Sequence, residues 1–143
     1  MTITTVPDIR RRPIVLLGAG GHARVLLALI RATGVKPLGV CDPTLRARGC
    51  VQWEGLPVLG DDDFIEQLGP DAVDLALGVG MIPRSSAREL IYKAWIERGY
   101  TFPPQVHPSA WIAPDVDLQD GAQLMAGVLV QPGCVIGRNT IIN

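Results

Sequence analysis

The residues of this chain with the plainest chemical use sit near its amino end, where Gly18 to Ala23 read GAGGHA. The spacing is G-x-G-x-x-[GA], placed between an apolar run and a stretch of helical periodicity. Gly18 permits a tight turn, Gly20 lets backbone approach a phosphate, and Ala23 lets a helix pack close to the strand before it. The helix start then offers unpaired N–H groups to an anion. His22 stands where it could donate to a phosphate or a sugar. Asp42, at the end of the next apolar run, could reach a ribose or a base. Arg84 follows a later run, GVGMIPR, at the carboxyl edge where open α/β sheets bind ligands. Each residue also has a plainer reading: a turn that only packs helix on strand, a histidine bonded locally in the first helical turn, and a solvated loop charge.

Two other groups look reactive and are read as structural. His107, in VHPSA, has no acidic or hydroxyl partner suggested nearby and marks a junction. Asp61, Asp62 and Asp63 are consecutive, so they cannot all face one ion; one of them caps a helix. No metal site is expected. Cys41, Cys50 and Cys134 are odd in number and form no CxxC pair, which excludes a disulfide framework and points to a reducing, cytoplasmic compartment.

The elements that must position these residues follow from periodicity. Ile14 to Gly18 is a continuous apolar run of the kind a buried parallel strand shows, and a helix follows with Val25, Leu26, Leu29 and Ile30 on one face and Gly34 as its stop. Pro37 to Asp42 is a second strand. LPVLGDDDFIEQLG gives a strand and a helix capped by Asp61 or Asp62, and Asp74 to Gly80 gives another strand. A last helix opens on a capping box, Ser86-x-x-Glu89, buries Leu90, Ile91, Ala94 and Trp95, and closes at Gly99. Strand and helix alternate throughout, so the expectation is a parallel sheet covered on both faces.

From Ile112 the period becomes six. Ile112, Leu118, Leu124, Val130, Ile136 and Ile142 are all aliphatic, and small or β-branched residues follow four places on at Val116, Ala122, Val128, Cys134 and Thr140. Turn residues fill the gaps. A hexapeptide period is the signature of a parallel β-helix. Three units are expected: a tail over 1–12, a domain built on the parallel sheet over 13–105, and a β-helix over 106–143.

Composition narrows the partners. The 143 residues carry a net charge of -1, with 48% hydrophobic and 19% charged residues, so there is no electrostatic case for nucleic acid or an anionic membrane. The basic run Arg10 to Arg12 is too small for a nucleic-acid footprint, and no stretch is long enough for a signal h-region or a membrane span.

The segments LLGAGGHARVLLALIR, GVCD, PVLG, GVGMIPR and HPSAWIAPDVDLQDGAQLMAGVLVQPGCVIGRNTIIN together resemble the sialic-acid O-acetyltransferase / nucleotide-sugar 4-amino N-acetyltransferase family, from about Ile14 to the end. The resemblance implies a Rossmann-like domain followed by a left-handed β-helix with three hexads per coil. It also implies a homotrimer, acetyl-CoA held between neighbouring β-helices, and acetyl transfer to a sugar amine or hydroxyl through a general base. It maps nucleotide-sugar contacts onto Gly18, Gly20, Gly21, His22, Asp42 and Arg84, with a UDP-sugar favoured by family habit. The histidine it assigns as base follows a stretch resembling the chain's last residues, so no catalytic residue is expected within 1–143. The chain is then expected to bind nucleotide-sugar and to be inactive alone, with no cofactor of its own. Two other readings stand beside it: a fragment of an NAD(P)-dependent oxidoreductase, and a non-catalytic binding or oligomerisation module.

Overall fold

The computed structural model describes residues 11–143. The tail expected over 1–12 therefore lies almost wholly outside the described residues. At its edge the Arg12 guanidinium donates to the Pro70 carbonyl at 2.9 Å and lies 3.7 Å from the Asp74 carboxylate.

The first part of the chain runs β1 (Ile14–Leu17), α1 (Gly21–Ala32), β2 (Gly39–Cys41), α2 (Pro43–Ala47), β3 (Gln52–Trp53), β4 (Leu56–Gly60), α3 (Asp62–Leu68), β5 (Asp74–Leu77) and α4 (Ala87–Glu97). The strands form one sheet in the order β3-β4-β2-β1-β5. All neighbours are parallel except β3 and β4, an antiparallel pair. The chain thus moves outward from β1 through β2 to β4, then returns to add β5 on the other side of β1. That reversal makes a topological switch point at the carboxyl ends of β1 and β5, where open α/β sheets form a ligand crevice.

Alternation along β1 sends Leu16 to one face and Val15 and Leu17 to the other, all buried. One face packs on α1. The opposite face gathers Ile65 of α3 and Trp95 of α4 with Tyr100 and Phe102. Full burial of each large apolar side chain contributes about 1.5–3 kcal/mol. The expected stop at Gly34 fits: its φ is +82°, and its N–H bonds the Arg31 carbonyl.

Three details differ from the sequence expectations. Val25 is half exposed, and α1 instead buries Ala23, Leu26, Leu27, Leu29 and Ile30. In α4 Leu90 is exposed, while Arg88 and Trp95 are buried with Ile91 and Tyr92 partly so. The capping box does not close: Ser86 is the N-cap but makes no side-chain cap bond, and it is Ser85 Oγ that accepts from Ala87 N–H. The β3–β4 hairpin, turned by Glu54 and Gly55 at positive φ, carries no strong sequence signal.

Beyond α4 come seven two-residue strands: β6 (Gln105–Val106), β7 (Trp111–Ile112), β8 (Asp117–Leu118), β9 (Gln123–Leu124), β10 (Leu129–Val130), β11 (Val135–Ile136) and β12 (Ile141–Ile142). The six aliphatics of the period-six pattern close six of these strands. Strands pair in parallel with the one 18 residues on: β6 with β9, β9 with β12, β7 with β10, and β8 with β11. Three strands therefore make one coil, and the stack is a parallel β-helix that already begins at β6, ahead of Ile112.

Its outward side is not all solvent-facing. Residues just before the inward aliphatics are exposed at Trp111, Asp117, Leu129 and Val135, yet Gln105 and Gln123 are buried. The β6–β9–β12 face is covered because α1 packs on it, and one apolar cluster runs from Leu16 through Leu26 and Leu27 to Leu124 and Val130.

Candidate functional site

The glycine turn lies at the switch point. Gly18 has φ +87°, a conformation strained for any residue with a Cβ, and its N–H bonds the Cys41 carbonyl at 2.9 Å. Helix α1 starts from Gly20, which offers no side-chain cap, and no acidic residue occupies its first turn. A Cβ at Gly20 or Gly21 would meet nothing within 4 Å, so backbone there is open to approach. The result is a bare helix amino terminus, positive in its dipole and able to hold an anion.

Close packing behind the turn depends on two small residues. Ala23 is fully buried, and a Cβ added to Gly78 would stand 2.8 Å from the Ala23 Cβ and 2.7 Å from the Leu17 carbonyl. The role expected of Ala23 thus needs Gly78 opposite, a requirement the pattern after β1 does not express.

Asp42 sits beside the turn, as expected, but its carboxylate is engaged with the protein. Oδ2 accepts from Ala19 N–H at 3.1 Å and Oδ1 from Leu45 N–H at 2.9 Å. The first bond ties the end of β2 to the glycine turn, and the second caps α2. One lone pair on each oxygen remains for a ligand hydroxyl.

His22, half-buried in the first turn of α1, reaches across to the β-helix. Its Nε2 lies 2.7 Å from Gln123 Oε1, and Gln123 Nε2 donates to the Leu77 carbonyl at 2.9 Å. Burial pushes the His22 pKa below its ordinary 6.5; the Gln123 bond opposes this, and the nearby Arg88 guanidinium adds to it. Arg88 is itself buried, donating through Nη1 to the Leu77 and Val79 carbonyls at 3.1 and 2.6 Å and through Nε to the Asn139 carbonyl at 3.3 Å. Loss of water around it brings its pKa down to about 10. Arg88 and Gln123 both look like surface residues in the sequence; no local signal marks either.

Arg84 is placed apart. It has φ +63° and lines a cavity of about 750 Å³ with Ser86, Arg88, Tyr92 and Arg138, and no glycine-turn residue borders that cavity. Gly21 borders a different groove of about 720 Å³, between α1 and the β-helix corner formed by His107, Met125 and Asn143. The structure therefore brings together Gly18, Gly20, Gly21, His22 and Asp42 and leaves Arg84 on a neighbouring surface.

His107 Nδ1 accepts from Ser109 N–H at 3.0 Å in a tight turn and lies 2.7 Å from Ser109 Oγ, so it has a hydroxyl partner that the sequence does not suggest. The Asp61 carboxylate caps α3 through Asp63 N–H. Cys41, Cys50 and Cys134 are all free thiols, and burial raises Cys41 to about 12, which keeps it a thiol. Among the described residues no cluster of three metal-ligating side chains occurs, and no helix is long and apolar enough to cross a membrane.

Comparison with known proteins agrees with this architecture. No curated protein sequence matches the chain. Among solved structures, it is similar to PerB from Caulobacter crescentus, determined with CoA and GDP-perosamine. The identity is 30% and the TM-score 0.77, over 92% of this chain and 59% of PerB. It is also similar to the acetyltransferase domain of PglB from Neisseria gonorrhoeae, determined with acetyl coenzyme A, at 28% identity and a TM-score of 0.80, over 93% of this chain and 62% of that one. The chain thus spans about three fifths of the length of these relatives. The PglD N-terminal domain matches residues 13–94, more than half the chain, taking in the glycine turn, the sheet and most of α4; the protein belongs to that family.

Proposed function

We propose that this chain is the nucleotide-sugar-binding part of an acetyl-CoA-dependent sugar N- or O-acetyltransferase. The observation that carries the reading is the bare amino terminus of α1, set at the sheet's switch point with His22 and Asp42 at its rim and backed by a β-helix. The diphosphate would lie on the open backbone of Gly20 and Gly21, beside the turn that Gly18 makes. Asp42 would accept from a ribose hydroxyl while holding the turn, and Arg84 would reach the ligand from the adjoining surface. Residues 13–105 form the recognition unit and 106–143 the β-helix unit.

In the whole reaction a sugar amine or hydroxyl attacks the thioester carbonyl of acetyl-CoA. The new C–N or C–O bond forms, the C–S bond breaks, and the proton given up by the acceptor leaves with the CoA thiol after passing through a general base. We assign that base to neither histidine of this chain: the resemblance gives His22 to the nucleotide-sugar contacts, and His107 Nδ1 is bonded to Ser109 in a tight turn. The 143 residues on their own should therefore bind and not transfer. Acetyl-CoA use and a trimeric assembly belong to the whole enzyme in this reading, and the free thiols support a reducing, cytoplasmic setting.

PerB, bound to GDP-perosamine, makes a GDP-sugar as good a candidate as the UDP-sugar of the sequence reading. Calorimetric titration with UDP-glucose, GDP-mannose, CMP and NADH tests the reading. Binding of a nucleoside diphosphate sugar is expected; tight NADH binding with no response to the others would replace it with the oxidoreductase alternative. An acetyltransferase assay on residues 1–143 should give no product, and product formation would place the base inside this chain.

A further inference from the structure

The hydrogen bonds around Gln123 fix more than its own side chain. The Leu77 carbonyl only accepts, and donors approach it from Gln123 Nε2 at 2.9 Å and Arg88 Nη1 at 3.1 Å. The amide of Gln123 must therefore turn its NH2 toward Leu77 and its Oε1 toward His22. Oε1 is an acceptor, so the atom 2.7 Å away, His22 Nε2, carries a proton. Gln123 is 2% exposed and cannot exchange this partner for water. Neutral imidazole has one N–H, which leaves Nδ1 as a lone pair. Nδ1 is two bonds from Cβ and so stays within the first turn of α1, beside the bare helix terminus, with no partner among the described residues. The charged group that faces the ring is Arg88, a cation with no carboxylate bonded to it, and it disfavours a second positive charge on His22.

We propose that Gln123 is a positioning residue that holds His22 as the Nε2-protonated tautomer, so that His22 Nδ1 accepts a hydrogen bond from a hydroxyl or amine N–H of the ligand. The donor role toward a phosphate or a sugar expected from the sequence is thereby reversed: phosphate is left to the helix N–H groups, and His22 accepts from the sugar or ribose. Recognition in the α/β half thus depends on a β-helix side chain. The identity of the ligand rests on the nucleotide-sugar reading above; the tautomer does not.

The test has two arms. Long-range 15N–1H correlation spectra of the chain labelled in histidine, with His22 assigned by its loss in His22→Ala, should show Nε2 protonated and Nδ1 bare at pH 7.5. The opposite pattern overturns the proposal. Gln123→Met keeps length and apolar bulk without the acceptor; it should give a tautomer mixture in a chain that remains folded by circular dichroism, and an unchanged tautomer removes Gln123 from the role.

The second arm titrates GDP-mannose and UDP-glucose, neither of which ionises between pH 5 and 7.5. Whichever binds should weaken about tenfold in the wild type as pH falls through the His22 transition, stay flat in His22→Ala, and bind about tenfold more weakly to Gln123→Met at pH 7.5. An affinity that rises on acidification would show His22 acting as a cation and sink this inference while leaving the nucleotide-sugar reading intact. Absence of binding by both probes at all pH values would sink the nucleotide-sugar reading and the ligand half of this proposal with it, while the spectra still decide the tautomer.

Discussion

At the scale of single residues, the site is organised by groups that serve the fold and the ligand at once. Asp42 is the clearest case, because one carboxylate clamps the glycine turn and caps α2. Replacing it by Ala removes a charge-assisted bond to Ala19 N–H and an N-cap together, which should lower stability by about 2–3 kcal/mol. Asn retains one acceptor oxygen and should lose roughly half as much; urea unfolding of the three chains checks the order. His22 gives a pH signature of definite sign. Its folded pKa lies below the ordinary 6.5, so the unfolded chain binds more protons in the window from 6.5 down to the folded value. Its contribution is therefore fully present above pH 6.5 and is lost as pH falls through that window. Wild type should lose stability across it relative to His22→Ala, and a relative gain on acidification would mean that burial does not dominate the ring. The sequence makes Gly18, His22 and Asp42 legible because their spacing from β1 is local. It hides Gln123 and Gly78, whose roles exist only when β5 and β9 arrive beside α1 from 55 and more residues away.

At the scale of elements, legibility tracks how many sides of an element are buried. The hexads are readable because each turns one aliphatic inward on a fixed period, and the strands end on those residues. Helix α1 is legible in the sequence but its buried face is less so. It packs on the sheet with one side and on the β-helix with another, so its buried arc is turned toward Ala23 and Leu27 and Val25 falls outside it. Helix α4 carries a proper i, i+3/i+4, i+7 stripe of Arg88, Ile91, Tyr92 and Trp95. A charged first member disguises that stripe, because a search for apolar periodicity discards arginine. The β-helix turns show a further regularity of their own. Ser109 Oγ accepts from Gly127 N–H at 3.1 Å and Asp115 Oδ2 from Gly133 N–H at 3.0 Å, each bond joining a corner to the one a full coil on. These bonds are exposed, so Ser109→Ala and Asp115→Ala should each cost only about 0.5–1.5 kcal/mol, and the double variant should show the sum because the corners share no partner. Gly121→Ala should cost more than either. Its φ is +76°, and the new Cβ would stand 2.8 Å from Tyr92 Cε2 and 3.2 Å from Asn139 N. Denaturant midpoints rank the three.

At the scale of the molecule, the two architectures share one interior, and that decides how the chain should melt. A sheet domain and a β-helix joined by a mere linker would unfold in separate steps. Here the cluster containing Leu16, Leu26 and Leu27 continues without interruption into Leu124, Met125 and Val130. The His22–Gln123–Leu77 bonds and the Arg88 bond to Asn139 cross the same boundary. Opening one half therefore exposes apolar surface and orphans buried polar groups in the other, costs that neither half can recover from water. A single calorimetric transition is expected, with an enthalpy of roughly 90 kcal/mol at the midpoint and agreement between calorimetric and van't Hoff values. Leu16→Ala on the sheet side and Leu124→Ala on the β-helix side should each remove about 2–5 kcal/mol and move that one transition down as a whole. If Leu124→Ala instead splits off a low-temperature transition and leaves the rest in place, the β-helix is an independent unit. Coupling of ligand recognition at α1 to the β-helix would then have no shared core to act through.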